Sequence, residues 1–216
     1  MGLFGVIGLG RFGSTVARVL FEKGQEVIAV DSQREAVEDA RAFSQQAVQA
    51  DVRDREVLES LGLKDVDAAV VSLGQGLDAS ILVTLYLREL GVRKILVKAV
   101  TEDHAKILEK VGATEVILPE KQMGRRVAER LAFPNVLDQV TFGEDYSVME
   151  IKAPEKLWGR SIEELEIRRK FNVVVVVIRR EGEKPNIAPL PTDVIREGDI
   201  LVVIGEDSKL ERFKNL

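Results

Sequence analysis

Three glycines at positions 8, 10 and 13 constrain this chain more than any other feature. They stand between an apolar run, Leu3 to Gly8, and an amphipathic stretch, Phe12 to Lys23. In Gly8-x-Gly10-x-x-Gly13 the first glycine permits a tight turn and the second lets backbone approach a pyrophosphate. The third lets helix and strand pack closely. Free amides at the helix start, together with the helix dipole, favour a phosphate there. The expected binding loop is therefore Gly8, Gly10, Arg11, Phe12 and Gly13. Asp31 ends the next apolar run, Glu26 to Val30. A carboxylate there can accept both ribose hydroxyls of an adenosine and would repel a 2′-phosphate, which disfavours NADP.

The same alternation continues to residue 118. Helical stretches are expected at Arg34 to Phe43, after a capping Asp54, at Leu77 to Leu90 and at Glu102 to Val111. Strands are expected at Ala47 to Ala50, Ala68 to Val71, Lys94 to Ala99 and Glu115 to Leu118, the last stopped by Pro119. Strands separated by helices imply a parallel sheet with right-handed crossovers. The expectation is α/β: a Rossmann-like, doubly wound, six-stranded parallel sheet. Ligands of such sheets sit at the carboxyl edge, so Asp51 and Val52 after strand three, and Ser72, Leu73 and Gly74 after strand four, join the candidate site. Asp51 reads either as an acceptor for the adenine amino group or as a surface cap before the next helix.

Lys121 to Phe133 reads as a further helix with Met123, Val127 and Leu131 on one stripe. The stripe either covers its own sheet or packs on a second subunit. Pro134-Asn135 then breaks the chain, giving domains 1–134 and 135–216. In the second, Tyr146 to Ile151, Val173 to Ile178 and Asp199 to Ile204 read as strands. Ser161-Ile162-Glu163-Glu164 has capping-box spacing, and Ser208 to Phe213 reads as a last helix. Closely spaced strands imply a small C-terminal α+β domain.

Composition narrows the function. The longest apolar run, Val173 to Ile178, is far too short to span a bilayer, and Met1 leads into a strand with no room for a signal peptide, so a cytoplasmic location is expected. With no cysteine there is no thiolate nucleophile or sulfur-ligated metal. A net charge of -5 and only short basic clusters argue against nucleic acid. The single histidine, His104, has no cluster of partners and is read as a surface or packing residue. No P-loop motif is present. Arg11 inside the loop suits a terminal phosphate better than a nicotinamide. The alternatives are an NAD-dependent oxidoreductase, which lacks an acid-base residue, and a DNA-binding redox repressor, which lacks a recognition helix and basic charge.

Val6 through Gly13, Val30-Asp31, Ala50-Asp51, Asp78 through Ile81, His104 through Ala113, Pro119-Glu120-x-x-Met123-Gly124 and Asp193 through Gly205 occur in that order. So arranged, the chain resembles the RCK (KTN) regulatory subunits of Ktr/Trk potassium uptake systems, most closely the Ktr-type cytosolic gating subunit. The resemblance implies dimers assembled into a ring, an octamer, docked on a membrane-embedded potassium channel or transporter subunit. It implies ATP as activating and ADP as inactivating ligand, with NAD or NADH as the alternative. Arg11 would read the terminal phosphate, Asp31 hold the ribose and Asp51 face the adenine. Glu120 would help hold a divalent cation, Mg or Ca, between ATP molecules of adjacent subunits. The helix 121–133 would be the crossover helix between subunits. Some members bind cyclic di-AMP at the C-terminal domain, where the matching neighbourhood is Ile162, Ile167, Arg168 and Asn172.

Overall fold

The computed structural model describes residues 1–74 and 76–216. They form two compact units, 1–120 and 121–216. In the first unit strands and helices alternate: β1 (Leu3–Ile7), α1 (Arg11–Glu22), β2 (Glu26–Asp31), α2 (Arg34–Ala40), β3 (Gln46–Gln49), α3 (Arg55–Ser60), β4 (Ala68–Val71), α4 (Leu77–Glu89), β5 (Ile95–Lys98), α5 (Glu102–Val111) and β6 (Glu115–Ile117). The strands make one parallel sheet in the order β3-β2-β1-β4-β5-β6. The order reverses direction beside β1, which leaves a crevice at the carboxyl edge between β1 and β4.

Both faces of this sheet are covered, as the near-continuous apolar strands require. Successive residues of a strand point to opposite faces. Ile7, Val30, Val71 and Val97 therefore pack with Leu58, Val83, Leu87 and Leu108 on one side. Val6, Ala29 and Val70 pack with Ala17, Val37 and Phe43 on the other. Asp54 and Thr101 cap α3 and α5 by accepting from backbone N–H groups inside the first turn.

The helix expected from Lys121 runs instead as α6 (Pro119–Ala132), and β6 stops at Ile117 rather than Leu118. Pro119 is the first helical residue, where its missing N–H costs nothing and its fixed φ suits the helix, so it starts α6 instead of merely ending β6. None of the residues of α6 is buried, and Met123, Val127 and Leu131 are 56%, 45% and 77% exposed.

The remaining chain forms β7 (Val136–Phe142), β8 (Tyr146–Lys152), α7 (Ile162–Leu165), α8 (Ile167–Phe171), β9 (Val173–Arg179), β10 (Asn186–Ile187), β11 (Ile200–Glu206) and α9 (Asp207–Lys214). The sheet is antiparallel in the order β10-β9-β11-β8-β7. Met149, Ile151, Leu201 and Val203 project from one face onto Leu165, Ile167, Leu210 and Phe213. The capping box at α7 is complete: Ser161 Oγ accepts from Glu164 N, and Glu164 accepts from Ser161 N. Buried Asp199 accepts from the Arg180 guanidinium at 2.7 and 2.8 Å and from Arg196 N at 2.8 Å, so its charge is fully paired. Ile167 is 1% exposed and belongs to this core.

Candidate functional site

The glycine loop closes β1 onto α1 by contacts that only glycine allows. Gly8 has φ +90, and a Cβ on it would stand 2.4 Å from Ser72 O. A Cβ on Gly13 would stand 1.9 Å from Gly8 O. Both positions thus press backbone on backbone, one against the end of β4 and one inside the loop. Gly10 is different: nothing lies within 4 Å of its would-be Cβ, so the space above it is open. Gly10 is also the N-cap of α1 and has no side chain to satisfy the first helical amides. Those amides and the positive end of the helix dipole face the open space, which is the arrangement that attracts a phosphate.

Arg11 is the first residue of α1 and is exposed. Its guanidinium makes no ion pair or side-chain hydrogen bond with the described residues. A free Arg at the head of the helix can reach an anion over the loop. Phe12 is half-buried against the cluster on the α1 and α2 side of the sheet. A cleft of about 630 Å³ opens on that side, lined by Leu9, Ser14, Arg18 and Gln33 among others.

Asp31 ends β2 beside the loop. Its Oδ2 accepts from Leu9 N at 2.6 Å and its Oδ1 from Gln33 N at 2.8 Å. These two bonds orient the carboxylate and tie strand tip to glycine loop. Each oxygen keeps a lone pair for a further donor such as a ribose hydroxyl.

Asp51 follows β3 and is held by Arg53. The Arg53 guanidinium donates from Nε at 2.9 Å and from Nη2 at 2.6 Å, and Arg53 N donates at 3.1 Å. The side-chain hydrogen bond from Arg53, with help from its backbone N–H, lowers the Asp51 carboxyl to about 2. The cap of α3 is Asp54, not Asp51, so Asp51 is not the surface cap that the sequence left open. Val52 is buried at 7% exposure in the core and offers backbone only. Ser72 is buried under Gly8, Leu73 is partly buried beside it, and Gly74 is exposed at the mouth of the crevice.

Glu120 lies in the first turn of α6, where Lys98 Nζ donates to its Oε1 at 2.5 Å. That hydrogen bond is the main reason its carboxyl sits below the usual carboxylate range. Among the described residues no group of three or more His, Asp or Glu side chains could hold a metal ion. A cation at Glu120 would therefore need phosphate oxygens, or a second copy of the chain, for most of its ligands.

His104 is 3% exposed in α5, with Nε2 2.9 Å from Ser80 Oγ in α4. Its role is packing, and burial pushes its imidazole below the ordinary value. The structure thus brings the loop, Arg11, Asp31, Asp51, the β4 end and Glu120 to one sheet edge. Sequence reasoning missed Arg53 and Lys98. Lys98, like Asp31, is a charged residue closing a buried strand, which was the available signal.

Among the described residues no helix is long and apolar enough to cross a membrane. Comparison with known proteins gives two family matches: residues 4–119 match the TrkA-N domain and residues 147–216 the TrkA-C domain. The Ktr system potassium uptake protein C of Bacillus subtilis is 41% identical over 98% of this chain and 95% of its own length. Protein A of the same organism is 39% identical over the same shares, and protein A of Vibrio alginolyticus is 35% identical over 99% of this chain. Among solved structures, the GsuK RCK domain superposes with a TM-score of 0.54 at 23% identity, covering 99% of this chain and 46% of that one. The GsuK channel bound to NAD gives 0.53 at 22%, covering 100% of this chain and 38% of that one. This chain thus spans less than half the length of those two chains, and their likeness bears on the fold. With both domains matched in order and the Ktr proteins alike over nearly their whole length, the chain belongs to the family of RCK-domain regulatory subunits of Ktr/Trk potassium uptake systems.

Proposed function

We propose that this chain is a cytosolic nucleotide sensor that gates a membrane-embedded potassium channel or transporter subunit, with ATP favouring the conducting form and ADP the inactive one. The observation that carries the reading is the Arg11 guanidinium at the head of α1, without a partner among the described residues, above an open glycine loop and near the oriented Asp31 carboxylate. Arg11 would bind the terminal phosphate, Asp31 the ribose and Asp51 the adenine amino group, with backbone at Val52, Ser72, Leu73 and Gly74 shaping the crevice. The nucleotide-binding domain would run from 1 to 134, with α6 as crossover helix, and a small regulatory domain from 135 to 216. ATP and ADP would shift a ring of dimers between two shapes by binding them unequally, and the ring would act on the membrane partner. A divalent cation would join Glu120 to the phosphates and supply charge neutralisation between adjacent nucleotides.

Arg11→Ala should lower ATP affinity tenfold or more while changing ADP affinity less than threefold, as read by titration calorimetry. Equal losses for both nucleotides would remove the sensor reading. NAD or NADH is the second reading for the ligand, since Asp31 grips any adenosine ribose and the GsuK channel, a fold relative, is described bound to NAD. An NAD-dependent oxidoreductase is disfavoured by chemistry: the one histidine is packed away at 3% exposure. Titration of NADH against ATP on the same protein separates the two ligands.

A further inference from the structure

Strand β5 ends in Lys98, a cation that the nucleotide reading leaves without a task. Its side chain is 17% exposed while that of its partner Glu120 is 69% exposed. The lysine is therefore anchored in the sheet edge, and the carboxylate is the member free to leave. An ion pair with one partner this exposed is weakly held. The sheet order runs β2-β1-β4-β5, from the ribose carboxylate Asp31 through the glycine loop to Lys98. A nucleotide with its sugar at β2 and its phosphates over β1 extends its anionic end along that line. Neighbouring strands lie about 4.8 Å apart, so β5 stands roughly 10 Å from β1. A chain of phosphates and a lysine stem together span such a gap. A compact ammonium accepts either partner, a carboxylate or a phosphoryl oxygen.

We propose that Lys98 is an exchange residue of the nucleotide site: its ammonium holds Glu120 while no divalent cation is bound, and passes to a terminal phosphoryl oxygen when a cation takes the Glu120 carboxylate. The inference rests on the nucleotide and cation reading above and adds the device that couples the two ligands. Cation binding at Glu120 frees a positive charge for the nucleotide, so each ligand strengthens the other.

The test is ATP affinity by calorimetry on the full chain, with EDTA and with saturating Mg²⁺, for the wild type, Lys98→Met, Glu120→Gln and the double variant. The wild type should bind ATP more tightly with Mg²⁺. Lys98→Met should match it within twofold in EDTA, where the ammonium is already engaged, and fall at least tenfold behind it in Mg²⁺. Glu120→Gln releases the ammonium, so it should bind ATP at least threefold more tightly than wild type in EDTA and gain nothing from Mg²⁺. That gain in EDTA should vanish in the double variant. If the wild type binds no ATP, or binds it equally in both conditions, the nucleotide and cation reading fails and this inference falls with it. If cation dependence is present but the Glu120→Gln gain is missing, or survives removal of Lys98, the exchange alone is overturned.

Discussion

At the scale of single residues, chemistry at the candidate site was legible where a residue type has one reason to be there. Gly8, Gly13 and Asp31 are of this kind: spacing after a buried strand singled them out, and at the two glycines an added Cβ would stand 2.4 and 1.9 Å from a backbone oxygen. Arg53 was not legible, because a surface cation in sequence carries no mark of which carboxylate it will meet, whereas Lys98 carried the signal of a charge closing a buried strand but none of its pairing with Glu120. His104 lay between these cases. Its burial follows from the apolar face of α5, but its hydrogen bonds depend on α4, which is 24 residues away at Ser80. Val100 N lies 3.4 Å from Nδ1, which leaves the proton on Nε2 to donate to Ser80 Oγ. Burial pushes this imidazole below its ordinary value, so the folded state prefers it neutral. The unfolded chain takes up the proton near pH 6.5, before the folded state does. Between those two points the unfolded state binds more protons, so stability must rise with pH. The contribution is complete above about pH 6.5 and is lost as pH falls below it, by at most ~1.4 kcal/mol per unit. Urea midpoints measured from pH 8 to 5 should show this slope in the wild type and a flatter one in His104→Leu. Parallel slopes would mean that the ring is protonated without cost.

At the scale of elements, strands flanked by glycine or aspartate were located to within a residue or two, since burial on both faces leaves an unbroken apolar run. β7 escaped notice for a physical reason. It lies at the edge of its sheet, its outer half is exposed, and its register slips between Val136 and Asp138, so its alternation is broken. The two-residue β10 carries too little pattern to read. α6 shows the opposite situation: the periodicity was plain, yet periodicity says only that a face is apolar, never what covers it. Met123, Val127 and Leu131 remain exposed, a stripe that a contact with another molecule would cover. A second copy of the chain is the occupant in the proposed ring. Leu131→Glu, at a site 77% exposed, should leave the melting temperature of the separated subunit within about 2 °C while lowering the assembly mass by light scattering. An unchanged mass would place the subunit contact elsewhere.

At the scale of the whole molecule, two cores with unlike topology share one chain. The first is a doubly wound parallel sheet and the second an antiparallel sheet with helices on one face. Every residue proposed to hold nucleotide or cation, from Gly8 to Glu120, falls in unit 1–120. A ligand stabilises the folded state to which it binds, by about 2.7 kcal/mol at a hundred times its dissociation constant. In a chain built of two cores that gain belongs first to the core holding the site. Hydrogen exchange with saturating ATP should therefore slow at the glycine loop, at the ends of β2 and β4 and through α1. Met149, Ile151, Leu201 and Val203 in the second core should exchange at nearly unchanged rates in a dilute, unassembled sample. If the chain assembles as proposed, raising the protein concentration should carry protection into residues 121–216, because the proposed ring would transmit a nucleotide signal through contacts between copies. Protection spreading to the second core at all concentrations would locate the coupling within one chain instead.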